Sequence, residues 1–210
     1  MYKKLITINL TIVLLVTAAY ILQYYFINYP VQFDLWYIVK ECQLQYLPFF
    51  FAITALVSYL VSSLNFKKLS FKGKFLRVFP FLNSLILAFF VFISFTAFIK
   101  NKKDLNALEK HYVQEAEKDI RKDQVVIRNV GFIVPAYDEK TVHLINSIYQ
   151  KYGIVSKNTG CIIDAMDTKA QEKYNELTDP YLEKRNGNNW KQRMEKEIDD
   201  VEKIMGPETK

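Results

Sequence analysis

Apolar and polar positions divide this chain into two unlike halves. Three stretches hold no charged residue: Leu5 to Phe33, Cys42 to Phe66 and Val78 to Ile99. Crossing about 30 Å of hydrocarbon takes about 20 apolar residues in a helix rising 1.5 Å per residue. All three runs reach that length, so the pattern predicts three transmembrane helices over about 5–27, 45–65 and 78–99. Pro48 and Pro80 fall in the first turns of the second and third spans, where a missing N–H costs least. Asn9, Gln23, Asn83 and the Ser/Thr set within the spans are expected to contact neighbouring helices. The apolar run of the first span continues past Thr17-Ala18-Ala19 to Phe26, so it reads as an uncleaved span rather than a signal peptide.

After Ile99 the periodicity changes. Leu105, Leu108, Tyr112, Ala116 and Ile120 recur at helical steps among charged residues, which predicts a helical extension of the third span over 100–124. Residues 125–210 then read as a small α+β domain. Val125 to Val134 is β-branched and predicts a strand with a bulge at Gly131, stopped by Pro135. Thr141 to Tyr149 fits strand or helix, and Ile154-Val155 and Cys161 to Ile163 are short strand candidates. Asp167 is the expected cap of a helix over Thr168 to Leu177, with Thr178-Asp179-Pro180 breaking it and Pro180 opening another. A turn at Asn186 to Asn189 leads to an amphipathic helix from Trp190 to Met205, with Trp190, Met194, Ile198, Val201 and Met205 on one face. Gly206-Pro207 ends it.

Charge sharpens this division. Of the 28 Lys/Arg and 22 Asp/Glu, the residues up to Ile99 hold eight and two, leaving twenty of each sign from Lys100 onward. The net +6 therefore lies in the apolar half, where the positive-inside rule explains it. Lys3 and Lys4 precede the first span, and Lys67, Lys68, Lys72, Lys74 and Arg77 join the second to the third. The N terminus and this basic loop are expected in the cytoplasm of a multi-pass inner (cytoplasmic) membrane protein, with the C-terminal domain extracytoplasmic. Nucleic acid is not expected as a partner, because the soluble half has no basic excess. Lys67, Lys68, Lys72, Lys74 and Arg77 form the one candidate site: a loop that meets lipid headgroups or docks a cytoplasmic partner.

No catalytic, metal or cofactor constellation emerges. His111 and His143 lack ligand-spaced partners. Ser147, Ser156 and Cys161 sit in no nucleophile elbow, and no phosphate-binding glycine motif occurs. Asp164 and Asp167 read as capping and surface carboxylates; an enzyme would need them to converge with His143. Cys42 and Cys161 would pair only if both faced an oxidising compartment. The spans carry no Asp, Glu, Lys, Arg or His, which argues against a self-sufficient ion-coupled transporter.

The layout resembles the first half of the lipopolysaccharide-export permeases of the LptF and LptG type, over residues 1–120. Leu35 to Leu69, with Pro48 and the ending Asn65-Phe66-Lys67-Lys68-Leu69, is similar to that family's second span, and Val78 to Ala116 to its third span and charged extension. The resemblance implies a transport subunit whose connection after span two docks on a cytoplasmic ATPase. Phe71-Lys72-Gly73-Lys74 keeps the family's glycine but lacks its glutamate, and this chain has no further spans. The expectation is a non-enzymatic envelope component with membrane lipids and a membrane-protein partner or second copy as contacts. A permease-like subunit and a membrane effector with a ligand-sensing domain are the alternatives.

Overall fold

A computed structural model describes residues 2–65, 69–129, 137–158 and 164–205. They form two compact units, Met1–Lys103 and Asp104–Lys210.

In the first unit, α1 (Tyr2–Ile27) is followed by a short α2 (Leu35–Glu41), a 3-10 turn (Leu44–Tyr46) and α3 (Leu47–Ser63). Helix α4 (Phe71–Lys122) begins here and runs on into the second unit. Three segments are long and apolar enough to cross a membrane: Tyr2–Ile27, Leu44–Ser63 and Phe71–Lys122. Asp34 caps α2 by accepting from the amides of Trp36 and Tyr37. The core of this unit is Val16, Leu47 and Phe90, with the rings of Tyr20 and Phe50 tilted or edge-on against Phe90 at 5.5 and 5.7 Å.

Helix α4 corrects the reading of Pro80. The helix opens at Phe71 rather than Val78, and Pro80 lies inside it. An interior proline leaves the carbonyl four residues earlier without its N–H. That carbonyl belongs to Leu76, and Asn9 of α1 supplies the missing donor, its Nδ2 lying 3.0 Å from Leu76 O. Lys72, Lys74 and Arg77 are therefore helical residues, not loop residues.

Along the α3–α4 contact, Thr54, Ser58 and Ser62 are buried at four-residue steps, and Asn83 is fully buried beside them. The Thr54 hydroxyl lies 3.4 Å from Asn83 Oδ1, and Asn83 Nδ2 donates to Phe79 O. Small polar side chains let helices approach closely and share hydrogen bonds where water is scarce.

In the second unit, β1 (Val125–Asn129) and β2 (Ile154–Asn158) pair in parallel, Val125 opposite Ile154 and Arg128 opposite Lys157. Parallel strands need a crossover, and α5 (Glu139–Lys151) provides it. Thr141 to Tyr149 is thus helical, with Asp138 as its cap. Helix α5 packs on β2 and on α7 (Trp190–Met205). The predicted faces appear: Leu105, Tyr112 and Ala116 on α4, and Trp190 and Met194 on α7, are buried. The bulge at Gly131 and the strand over Cys161 to Ile163 lie outside the described residues, as do Cys161 and any pairing with Cys42.

The predicted break at Pro180 does not occur. One helix, α6 (Ala165–Asn186), runs through it. Ala170, Tyr174, Thr178 and Leu182 are buried at four-residue steps, so a single stripe spans the proline. The Thr178 hydroxyl bonds to Tyr174 O, and burial on both sides outweighs the lost N–H. The cap is Asp164, not Asp167: Asp164 Oδ1 accepts from Met166 N at 3.0 Å.

Gly153 turns the chain from α5 into β2 with a left-handed φ of 71°, and a Cβ there would lie 2.8 Å from Arg185 Nε. Both facts demand glycine at this point.

Candidate functional site: the basic end of the first unit

Helices α1 and α4 both begin at this end, and α3 finishes there. Helix N-termini carry partial positive charge, which adds to the lysines around them. Ser70 organises the junction. Its Oγ accepts from Gly73 N at 3.2 Å, and it shares a hydrogen bond of 3.0 Å with the Tyr2 hydroxyl of α1. A Cβ on Gly73 would lie 3.3 Å from Ser70 Oγ, so a small residue suits this close contact.

The predicted site residues separate into kinds. Lys74 is buried, and its Nζ donates to Leu64 O at 2.6 Å, capping the C-terminus of α3. Lys72 is exposed, with its Nζ 5.5 Å from the centre of the Tyr2 ring. Arg77 is exposed, as are Lys3 and Lys4 in the first turn of α1. Lys67 and Lys68 lie outside the described residues. Lys74 thus joins two helices, while Lys3, Lys4, Lys72 and Arg77 present positive charge outward. Such an arrangement attracts phosphates or other anionic groups, at about 1 kcal/mol per basic residue near an anionic lipid surface. Tyr2 and Ser70 were missed in the sequence; the serine three residues before Gly73 was the available signal.

The second unit uses its candidate groups structurally. Asp167 accepts from the Tyr112 hydroxyl at 2.7 Å, and burial together with this bond pushes the phenol up to about 12. Arg128 donates to Glu115 at 2.7 Å and stacks on Tyr112 and Tyr174, 4.7 and 4.9 Å from their ring centres. Tyr174 accepts from Val126 N at 2.7 Å and donates to Asp119 at 2.8 Å; its burial raises its pKa. Exposed His111 sits 3.9 Å from Glu115, and exposed His143 projects from α5. Asp164 is engaged as the α6 cap and Asp167 by Tyr112. Among the described residues no group of three or more His, Cys, Asp or Glu could hold a metal ion.

Comparison of the chain with protein-family models, curated proteins and solved structures finds no match in any of the three.

Proposed function

We propose that the chain is a non-enzymatic integral membrane component of a cell-envelope assembly. The N terminus and basic end face the cytoplasm, and the second unit makes protein or lipid contacts outside. The supporting observation is how little of the apolar surface the chain covers itself. Only 11–17 % of each apolar window is buried, and Leu14, Phe92, Phe95, Phe81 and Leu10 are all more than 60 % exposed. Surface of this kind belongs against acyl chains or other apolar helices. The basic residues gather at one end, as the positive-inside rule requires of a cytoplasmic face.

The test is a pair of reporters fused after Lys210, one active only in the cytoplasm and one only outside it. Activity of the outside reporter alone is expected. Activity of the cytoplasmic reporter alone would overturn the orientation.

A permease-like subunit driven by a separate ATPase is the second reading. The exposed Lys72 and Arg77 favour it, since both are available to a cytoplasmic partner.

A further inference from the structure

The connection between α1 and α3 returns the chain to the end it left. Tyr20, late in α1, packs on Phe50, early in α3, while Tyr2 at the start of α1 bonds to Ser70 beyond the end of α3. The two helices therefore run in opposite directions, and both belong to segments long and apolar enough to cross a membrane. Residues 28–43 join them at one end, and the seven-residue α2 lies within that stretch.

Helix α2 is held by one side. Ile38 is buried, Tyr37 lies edge-on to Tyr24 of α1 with ring centres 6.3 Å apart, and Glu41 borders the open cleft beside Tyr20 and Tyr24. Just before the helix, Phe33 meets Tyr25 edge-on at 5.2 Å. At about 100° per residue, Tyr37, Ile38 and Glu41 share one face, and Leu35, Trp36 and Val39 share the other. Exposure agrees: Leu35 is 56 % exposed and Trp36 82 %. Lys40, one turn after Trp36, edges the same outward face. It is exposed and forms no ion pair among the described residues.

We propose that this outward face of α2 is an interfacial anchor, seated between the headgroups and acyl chains of a phospholipid bilayer, with the Lys40 ammonium at a lipid phosphate. The anchor rests on the reading of the first unit as membrane-spanning. Position, side-chain type and charge choose lipid as the occupant. A stretch tied at both ends to spanning helices stays at the membrane surface. Tyr46 and Phe49, which open the next apolar segment at this end, are exposed as well, so the face of α2 continues a surface that the chain leaves uncovered. An indole suits that depth because its ring is apolar and its N–H finds a headgroup acceptor. Lysine suits the border, with its stem along apolar surface and its charge at the phosphate.

The full chain is placed in phospholipid nanodiscs, and the emission of Trp36→Phe is subtracted from that of the wild type to isolate Trp36. Quenchers are lipids brominated high on the acyl chain, lipids brominated near its tip, and acrylamide in the water. An interfacial helix sinks about 5–10 Å, so the high bromines should quench Trp36 about twofold more than the tip bromines. Leu35→Trp in the Trp36→Phe chain should report the same depth. Phe89→Trp in that chain, at an exposed position within the third apolar segment, is the control and should respond most to the tip bromines. If acrylamide quenches Trp36 and neither lipid does, while the control answers to the tip bromines, the anchor falls and the membrane-spanning reading stands. If neither position answers to brominated lipid, both fall. A Trp36 shielded from all three quenchers would put a second copy of the chain on this face and would also overturn the anchor.

Discussion

The two units join their elements with different chemistry. In the first, contacts between elements end on carbonyl oxygens or neutral side chains: Asn9 to Leu76 O, Tyr20 to Gln43 O, Asn101 to Ile27 O and Lys74 to Leu64 O. In the second, tyrosines close on carboxylates. Tyr112, Tyr137, Tyr152, Tyr174 and Tyr181 donate to Asp167, Glu202, Glu197, Asp119 and Asp123. The difference follows the surfaces of the two units, the first of which carries three helices long and apolar enough to cross a membrane. A carboxylate can be hydrated until the fold forms in water, whereas in an apolar medium its charge has no cheap reference state. In the first unit the acceptors that join elements are uncharged, with the Lys74 ammonium among the donors; in the second, carboxylates accept from five tyrosines.

The largest effect that would test this contrast lies at Tyr174. Tyr174→Phe removes one hydroxyl but leaves two partners, Val126 N–H and Asp119, without it. A loss of about 3 kcal/mol from the second unit is expected, since each orphaned buried group costs about 1–3 kcal/mol. Urea unfolding followed by Trp190 fluorescence, in a Trp36→Phe background, reads it. A loss below 0.5 kcal/mol, on the order of a surface substitution, would remove the tyrosine–carboxylate bonds from the account of stability.

A smaller effect is expected in the first unit. Asn9→Leu strips the donor from Leu76 O and should cost about 1 kcal/mol, in the range of interhelical hydrogen bonds in membranes. Pro80→Ala restores a backbone N–H to that same carbonyl. In its presence Asn9→Leu should therefore cost less, and a double-mutant cycle read by unfolding in mixed micelles measures the coupling. Strict additivity would show that Asn9 does not serve the proline.

The smallest effect concerns acid. Arg185 donates to both oxygens of Asp123 and holds its carboxyl below the ordinary 3.8; the Tyr181 bond adds to this. A depressed carboxyl favours folding above its ordinary value, and that contribution fades as pH falls through the lower folded value. Arg185→Gln should narrow the gap to wild type as pH drops below 3.8 and leave it constant near neutrality. Both partners are substantially exposed, so the gap is small. A gap that is unchanged at acid pH would break the assignment.

These cases also show what the sequence can reveal. The three helices long and apolar enough to cross a membrane were legible because a run of apolar residues is a local property. The faces of α4 and α7 were legible because helical periodicity is local too. Pro80 and Pro180 misled because a proline's effect depends on who supplies the missing bond or burial. Asn9 lies on another helix, and the stripe from Ala170 to Leu182 gains its burial only after folding. The basic residues read alike in sequence. Their geometry makes Lys74 a helix cap and leaves Lys72 and Arg77 outward.

The Tyr174 hydroxyl has one more consequence. Val125 N bonds to Gly153 O of the β2 side, so alternation turns Val126 N toward the edge of β1 that pairs with no strand among the described residues. A two-stranded sheet with an open edge is a template for an extended segment from another molecule. Here the first amide such a segment would need is already held by a phenol anchored on α6. The same oxygen that ties helix to strand therefore also occupies a donor that strand addition at this edge would need.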